Sequence, residues 1–366
     1  MENRSGARDW PNDTLFMPAE ITPPQNWRAL SDHLAKYGLY FDADVEPRRF
    51  RGGHGNLNYL VSIDGAPTVL RRPPLGKLPP KANDMAREYR ALSVLSPAWS
   101  LVPRALHYCE SAEVLGAPFL ISEYRDGLPL HGPHPMGKGK MSPALAASLS
   151  RLQIDVLAHL HGLDIRAIGA DKLGRSGNFA ERTRAGWSLR LAAASDSPPE
   201  EARALFAWLE AKRTPTEAVR IIHNDFKLDN ILVDRTSSTV PVALLDWDMV
   251  TLGDPYFDLA TLLSYWVAPE DPSPLRAFNT TPSETPGALS RAALVEAYSR
   301  ATGVALDPER LLYFRVLAYA KLGVVLMQLD ERYRGDAEAA VPHTQFAAAV
   351  VPAFEMGLRL TQGSPA

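Results

Sequence analysis

One cysteine, Cys109, stands in the whole chain, so no internal disulfide can form and thiol usage fits a reducing compartment. Long apolar runs are scarce as well. No stretch of about 18 apolar residues occurs, and no membrane span is expected. The opening residues, MENRSGARDWPNDTLF, lack the apolar core of a secretory leader, and the expected location is the cytoplasm. Neither sign of charge is in large excess. A formal net charge of −3 and an isoelectric point near 6.3 give no reason to expect nucleic acid as the main partner. No internal repeat of solenoid period occurs.

What is present is 366 residues, 46% hydrophobic and 22% charged, enough for one large two-lobed domain or two ordinary ones. Residues 1–25 are polar and contain proline, and read as an arm. NWRALSDHLAKYGL (26–39) has the apolar spacing of a short amphipathic helix. Strand patterns follow from 48 to 72, broken by the turn signal Asp64-Gly65. A Pro-rich loop ends at Asn83 and Asp84, good caps for the helix MAREYRALSVL. RALHYCES and APFLISEY read as strands, and the Gly/Pro/His-rich stretch 126–143 as a linker. The rest is mainly helical apart from apolar runs near 219–223 and 231–246. The expected organisation is a β-rich lobe over 26–124 and a larger α-rich lobe over 125–366.

Four short stretches could carry chemistry. GGHGN (52–56) sits between strand patterns; its glycines would let backbone N–H groups approach a phosphate, and would equally well only make the turn. TVLRR carries Arg71 near its end, a cation that a carboxylate on the following helix, Glu88, could hold in a cleft; a solvated strand-end Arg-Arg pair is the plainer reading. HNDFKLDN (223–230) places Asp225, Lys227 and Asn230 between the apolar runs VRII and ILVD. Such an aspartate can accept a hydroxyl proton, such a lysine can neutralise a phosphoryl group, and an asparagine oxygen suits Mg²⁺. VALLDWD brings Asp246 to the end of an apolar strand, where a carboxylate is costly unless paired or metal-bound.

H-x-D-x-K-x-x-N has the spacing of the protein-kinase catalytic loop, and LDWD takes the place of its metal-binding Asp-Phe-Gly segment. The closer resemblance is to the aminoglycoside phosphotransferase superfamily. Within it, VLRRPPLGKLPP, REYRAL, HNDFKLDNIL and LDWDMVTLGDPYFDLA are similar to the branch that includes kinase domains fused to acyl-CoA dehydrogenases. The resemblance covers roughly residues 45–330. It implies an α+β, two-lobed protein-kinase-like fold, a small β-rich N-terminal lobe binding ATP and a larger, mainly helical C-terminal lobe. It makes Asp225 the catalytic base, with Lys227 on the phosphoryl group, and Asn230 and Asp246 the Mg²⁺ ligands. Arg71 and Glu88 fall at the phosphate-holding lysine and its partner. Gly53, His54, Gly55 and Asn56 fall on the phosphate loop, and Ser122, Glu123 and Tyr124 at a hinge offering backbone groups to adenine.

Two positions depart from the pattern. Arg71 replaces lysine, so Lys77 becomes a second candidate for phosphate contact, and Asn224 replaces the usual glycine. Asp258 resembles the buried aspartate that braces the catalytic-loop backbone, with His223, His159 and His161 as packing residues around it. Asp248 reads equally as a ligand or as a turn carboxylate.

Only 11 residues separate Asp246 from Asp258, too few for the activation segment of a protein kinase. The expected activity is therefore transfer of the ATP γ-phosphate to a small-molecule hydroxyl, by a monomer or homodimer with neither nucleic acid nor membrane as partner. Acidic and basic residues nearly balance over 267–366, which speaks against a polycationic acceptor. The basic stretches MGKGK and GKLPPK and the fused-dehydrogenase branch favour a hydroxyacyl-CoA or hydroxy acid. An aminoglycoside or amino-alcohol kinase, and a non-catalytic nucleotide-binding module, stand as alternatives. Asp225 and Lys227 are expected to have the ligand as their main partner, so that their substitution leaves the fold intact.

Overall fold

The computed structural model describes residues 15–19, 22–51, 56–74, 83–130, 141–174, 178–212, 214, 218–334 and 343–363. Gly53, His54, Gly55 and Lys77 lie outside the described residues, as do MGKGK and GKLPPK.

The first lobe is built on an antiparallel sheet. Its strands β1 (Arg48–Arg49), β2 (Leu57–Ile63), β3 (Ala66–Arg72), β4 (Ala105–Cys109) and β5 (Phe119–Glu123) lie in the order β1-β2-β3-β5-β4. The β2–β3 hairpin closes on Asp64 and Gly65, both left-handed with φ of 52° and 69°, the two-residue turn that Asp-Gly favours. Two helices pack on this sheet from opposite sides of its chemistry. The first is α1 (Trp27–Ala35), whose Leu30 and Leu34 join Tyr59, Val61 and Phe119 in a small core. The second is α2 (Met85–Leu95), started by the Asp84 carboxylate, which accepts the Arg87 N–H at 2.9 Å. Its buried stripe runs Met85, Glu88, Ala91, Leu92, Leu95, so Glu88 is the one charge pressed into the interior.

The lead-in that reads as an arm is docked on this lobe where it is described. Met17 N–H donates to Arg49 O at 2.8 Å and Arg51 N–H to Leu15 O at 2.7 Å, so residues 15–17 line the edge beside β1. Gln25 is held by Arg72 at 2.6 Å and donates to the Tyr59 hydroxyl at 3.1 Å.

A short helix, α3 (Ala112–Leu115), joins β4 to β5 within the first lobe, and strand β6 (Leu128–Pro129) leads into the second. There α4 (Pro143–Gly162), α5 (Phe179–Ala194) and α6 (Glu200–Lys212) precede β7 (Arg220–Ile222), β8 (Ile231–Val233), β9 (Pro241–Leu244) and β10 (Thr251–Gly253). After them come α7 (Pro255–Tyr265), α8 (Ser273–Ala277), α9 (Arg291–Thr302), α10 (Pro308–Tyr333) and α11 (His343–Thr361). The apolar runs become short strands in two small sheets, β6-β8-β9 and β7-β10, which present the 223–230 loop between β7 and β8. Helix α10 is long and apolar enough by composition to cross a membrane, but 67% of that stretch is buried inside the protein, as in a core helix. It runs against α7 and α11, and Gly323 lets it approach α11: a Cβ there would lie 2.4 Å from the Phe354 ring.

A partly buried contact ties α1 to the sheet. His33 Nε2 and His107 Nε2 are 2.9 Å apart, beside the Phe119 and Tyr37 rings and near Lys36. A hydrogen bond between imidazoles needs at least one of them neutral. Burial pushes both pKa values down from 6.5, with Lys36 adding to His33 and His33 to His107. The folded state then binds fewer protons than the unfolded, so stability is lost as pH falls from about 6.5 through the lowered values. Thermal midpoints from pH 8 to 5 should therefore drop less in His33→Gln/His107→Gln than in the wild type. Parallel declines would remove the pair from the acid response.

Candidate active site

The loop 223–230 turns sharply after β7, with Asn224 in the left-handed region at φ 67°. That conformation is uncommon for a residue with a Cβ, though asparagine tolerates it best. It is held from behind by Asp258, in the first turn of α7. This fully buried carboxylate accepts the N–H of His223 at 2.6 Å and of Asn224 at 2.7 Å. His161 lies 3.3 Å from the same carboxylate and bonds the Tyr298 hydroxyl at 2.6 Å. His223 bonds the Leu245 carbonyl at 2.8 Å, tying the loop to the segment carrying Asp246. His159 instead stacks on Trp99, with ring centroids 4.9 Å apart.

Held this way, the loop turns Asp225 toward two cations. Lys321 from α10 donates to Asp225 Oδ1 at 2.7 Å and to the Asn224 carbonyl at 2.7 Å. Lys227 Nζ is 3.3 Å from Oδ2 and lies over the Tyr265 ring, 4.9 Å from its centroid. The Tyr265 hydroxyl sits 3.5 Å from Asp225 Oδ1. Burial would raise the Asp225 pKa, but Lys227 and Lys321 outweigh it and hold the carboxyl well below the usual carboxylate range. Asp225 in return keeps the Lys227 ammonium charged against the effect of burial.

Asn230 donates its amide to the Asp225 carbonyl at 3.0 Å, which leaves its side-chain oxygen as the atom free to act as a ligand. Its own carbonyl accepts the Leu245 N–H at 2.8 Å, and this seats it beside Asp246. Asp246 follows β9 in the left-handed region at φ 71°, while Trp247 beneath it is 1% exposed and donates to the Leu244 carbonyl at 2.8 Å.

Across the cleft, β3 delivers Arg71. Its Nε lies 2.8 Å from Glu88, its Nη2 bonds Asp246 directly, and Asp248 is 3.9 Å away. Asn56, with its amide oxygen turned inward, accepts from Arg71 at 2.7 and 3.2 Å. Three carboxylates thus share one guanidinium. Burial, with Asp246 adding to it, pushes Glu88 up to about 7 and raises Asp248 well above its ordinary value. A donor set of Asp246, Asp248 and the Asn230 oxygen, with negative charge in excess of the local cation, fits a hard divalent ion.

The three residues expected at a hinge lie at the end of β5 and just past it. Ser122 and Glu123 lie within β5, an inner strand between β3 and β4, and the Glu123 N–H is already given to the Arg104 carbonyl at 2.9 Å. The Glu123 carboxylate takes up Arg125 at 3.1 Å. Of the three, Tyr124 alone lies past the strand end, its ring stacked on Phe50 at 6.4 Å. The expectation that the ligand is Asp225's main partner is corrected too, since Lys321 is 2% exposed and pairs with it directly. Lys321 and Tyr265 were not singled out from sequence. For Lys321 a signal existed: it is the one charge in the apolar run VLAYAKLGVVL (316–326). Tyr265 had none.

Comparison with known proteins bears on the same residues. The model of the phosphotransferase enzyme family matches residues 46–295. The chain is 30% identical over 321 residues to chicken acyl-CoA dehydrogenase family member 11, covering 86% of this chain and 40% of that protein. It is 28% identical over 355 residues to the human member 11, covering 94% and 44%. It therefore spans less than half the length of these relatives. Among solved structures, a Ralstonia eutropha protein described as a candidate aminoglycoside phosphotransferase superposes with a TM-score of 0.70 at 22% identity, over 94% of this chain and 100% of that one. Macrolide 2′-phosphotransferase MphH from Brachybacterium faecium superposes with a TM-score of 0.52 at 20% identity, over 88% and 97%. These likenesses carry the kinase-like fold, and the family match spans Arg71, Glu88 and the whole of 223–258: the chain belongs to the phosphotransferase enzyme family.

Proposed function

We propose that the protein transfers the γ-phosphate of ATP to a hydroxyl of a small acceptor, with Mg²⁺ held by Asn230 and Asp246. The observation that carries this reading is the convergence of Asp225, Asn230 and Asp246 opposite the Arg71–Glu88 pair. Nucleotide use is supported by a fold neighbour, aminoglycoside phosphotransferase APH(4)-Ia, solved with ADP and hygromycin B (TM-score 0.57, 13% identity, 92% of this chain and 100% of that one). Asp225 orients the hydroxyl. Because two cations depress its pKa, it accepts the proton only as phosphorus–oxygen bonding makes that proton acidic. Lys227 is set to meet charge on the transferring phosphoryl oxygens, and bound Mg²⁺ would offset the β/γ-phosphate charge.

The favoured acceptor is a hydroxyacyl-CoA or a hydroxy acid. The relatives named as acyl-CoA dehydrogenase family members and the near balance of charge over 267–366 support it. An aminoglycoside acceptor is the second reading, favoured by the antibiotic phosphotransferases among the fold neighbours. ATP consumption measured against hydroxyacyl-CoAs, hydroxy acids, amino alcohols and aminoglycosides separates the two. Kanamycin should be a poor substrate, and expression should confer little resistance; saturable drug phosphorylation with strong resistance would promote the second reading.

Substitutions divide the roles. Asp246→Ala should abolish Mg·ATP-dependent turnover, and near wild-type transfer by that variant would unseat the metal assignment. Arg71→Met should tighten Mn²⁺ binding in the absence of nucleotide, because Asp246 loses its internal cation. An unchanged Mn²⁺ titration by electron paramagnetic resonance would mean that Arg71 and metal do not share Asp246. Asp225→Asn should cut kcat by about 10²–10⁴-fold. It should also lower the thermal midpoint, since removing one partner of a buried pair costs up to about 3–5 kcal/mol. Lys321→Met combined with Asp225→Asn should melt higher than the two single losses add to, and strict additivity would deny the pair a structural role.

A further inference from the structure

Asp225 meets its two lysines on different terms. Its Oδ1 accepts from Lys321 at 2.7 Å, and the Tyr265 hydroxyl sits 3.5 Å from the same atom. Its Oδ2 meets Lys227 at 3.3 Å, beyond the roughly 2.7–2.9 Å of a close charge-assisted bond. Lys321 is also tied to the Asn224 carbonyl at 2.7 Å, and 3% of its side chain is exposed, against 24% for Lys227. One lysine is a fixed strut. The other is loosely held and open to solvent.

The other neighbour of the Lys227 ammonium is the Tyr265 ring. Its centroid lies 4.9 Å from Nζ, within the roughly 6 Å over which a ring face attracts a cation. The helix that fixes the loop also fixes this ring. Tyr265 ends α7 and lies seven residues after Asp258, two turns and about 10 Å along the same face. Asp258 holds the backbone of His223 and Asn224, and Tyr265 meets the side chains that follow. Trp266, the next residue, is 2% exposed and donates to the Leu289 carbonyl at 2.7 Å, which anchors this end of α7. Burial, with the Asp225 charge adding to it, raises the Tyr265 pKa above its ordinary value, so the ring stays a neutral phenol.

We propose that Tyr265 is the positioning residue of Lys227: its ring shares the ammonium with Asp225 Oδ2, so that an arriving γ-phosphate draws the cation across and uncovers that oxygen for the acceptor hydroxyl. This rests on the kinase reading above. A lysine in full contact with Asp225 would block the oxygen it covers, and would have to break a buried ion pair before meeting phosphate. The ring face attracts the ammonium without a net charge of its own, so the cation is stabilised but not captured. Lys321 meanwhile keeps Oδ1, and with it the orientation of the carboxylate, in place. With Lys227 on the phosphoryl oxygens, the acceptor oxygen bonds to phosphorus as the bond to ADP breaks, and the hydroxyl proton passes to Oδ2.

Calorimetric affinities for Mg·AMP-PNP and Mg·ADP need no acceptor, and test this in wild type, Tyr265→Phe, Tyr265→Leu and a protein with pentafluorophenylalanine at position 265. The fluorinated ring keeps the packing but loses its negative face, and it carries the test if Tyr265→Leu does not fold. Tyr265→Phe keeps that face and should bind both nucleotides within about twofold of wild type. Tyr265→Leu and the fluorinated ring should weaken AMP-PNP by about 3–30-fold, the equivalent of a lost cation–π contact, and leave ADP within about twofold. In a Lys227→Met background the same changes should cost AMP-PNP nothing further; a persisting loss would mean that Tyr265 acts by packing alone. In the ligand-free protein, isotope-labelled at lysine Cε, the Lys227 resonance is identified by its loss in Lys227→Met. The ring should shift it upfield, and Tyr265→Leu should return it toward the other lysines. If that shift is present while no nucleotide binds, the kinase reading fails and the hold of Tyr265 on Lys227 stands. No shift, no loss of AMP-PNP in Tyr265→Leu, or equal losses of AMP-PNP and ADP would overturn the proposal.

Discussion

The carboxylate of Asp258 is the contact on which the site depends. Buried completely, it takes the backbone N–H groups of His223 and Asn224 and so fixes the turn from which Asp225, Lys227 and Asn230 project. Its remaining capacity goes to His161, which leans on Tyr298, so α4, α7 and α9 all converge on one turn of chain. A carboxylate this deep survives only because donors surround it. The same donors make the loop one rigid unit, and His223 extends that unit to the segment bearing Asp246 through the Leu245 carbonyl.

Around this fixed loop the charges are arranged in excess on both sides. Below it, Lys227 and Lys321 both face Asp225, so the carboxylate stays ionised and its orientation is set before any ligand is present. Above it, Glu88, Asp246 and Asp248 share Arg71. Arginine where kinases have lysine makes this sharing possible, since a planar fork can meet Glu88 and Asp246 with different nitrogens at once. The cleft thus carries surplus cation on the Asp225 side and surplus anion on the Arg71 side.

Much of the fold was legible. The Asp64-Gly65 hairpin, the Asp84-capped helix carrying Glu88 and the strands flanking HNDFKLDN all follow from local rules, in which a turn residue or a cap acts on its neighbours. The backbone pairing at the end of β5 was less so, because whether a strand residue's backbone is free depends on the chain beside it. Glu123 is committed to Arg104, a pairing that neither segment announces. The lead-in at residues 15–17 likewise joins the sheet edge through backbone bonds that any polar sequence could make.

By itself, then, the sequence determined the order and spacing of the chemistry: a carboxylate, a cation and an amide within eight residues, a second carboxylate 21 residues beyond Asp225, and a cation and a carboxylate, Arg71 and Glu88, in the segments before them. Those relations survive because they are written along the chain. Only the tertiary structure decided which charges neutralise one another. Lys321 stands 96 residues from Asp225 and Arg71 stands 175 from Asp246, separations over which no local propensity acts. Such pairs form because packing of α10 against α7 and of the two lobes across the cleft leaves each buried charge one place to find its opposite.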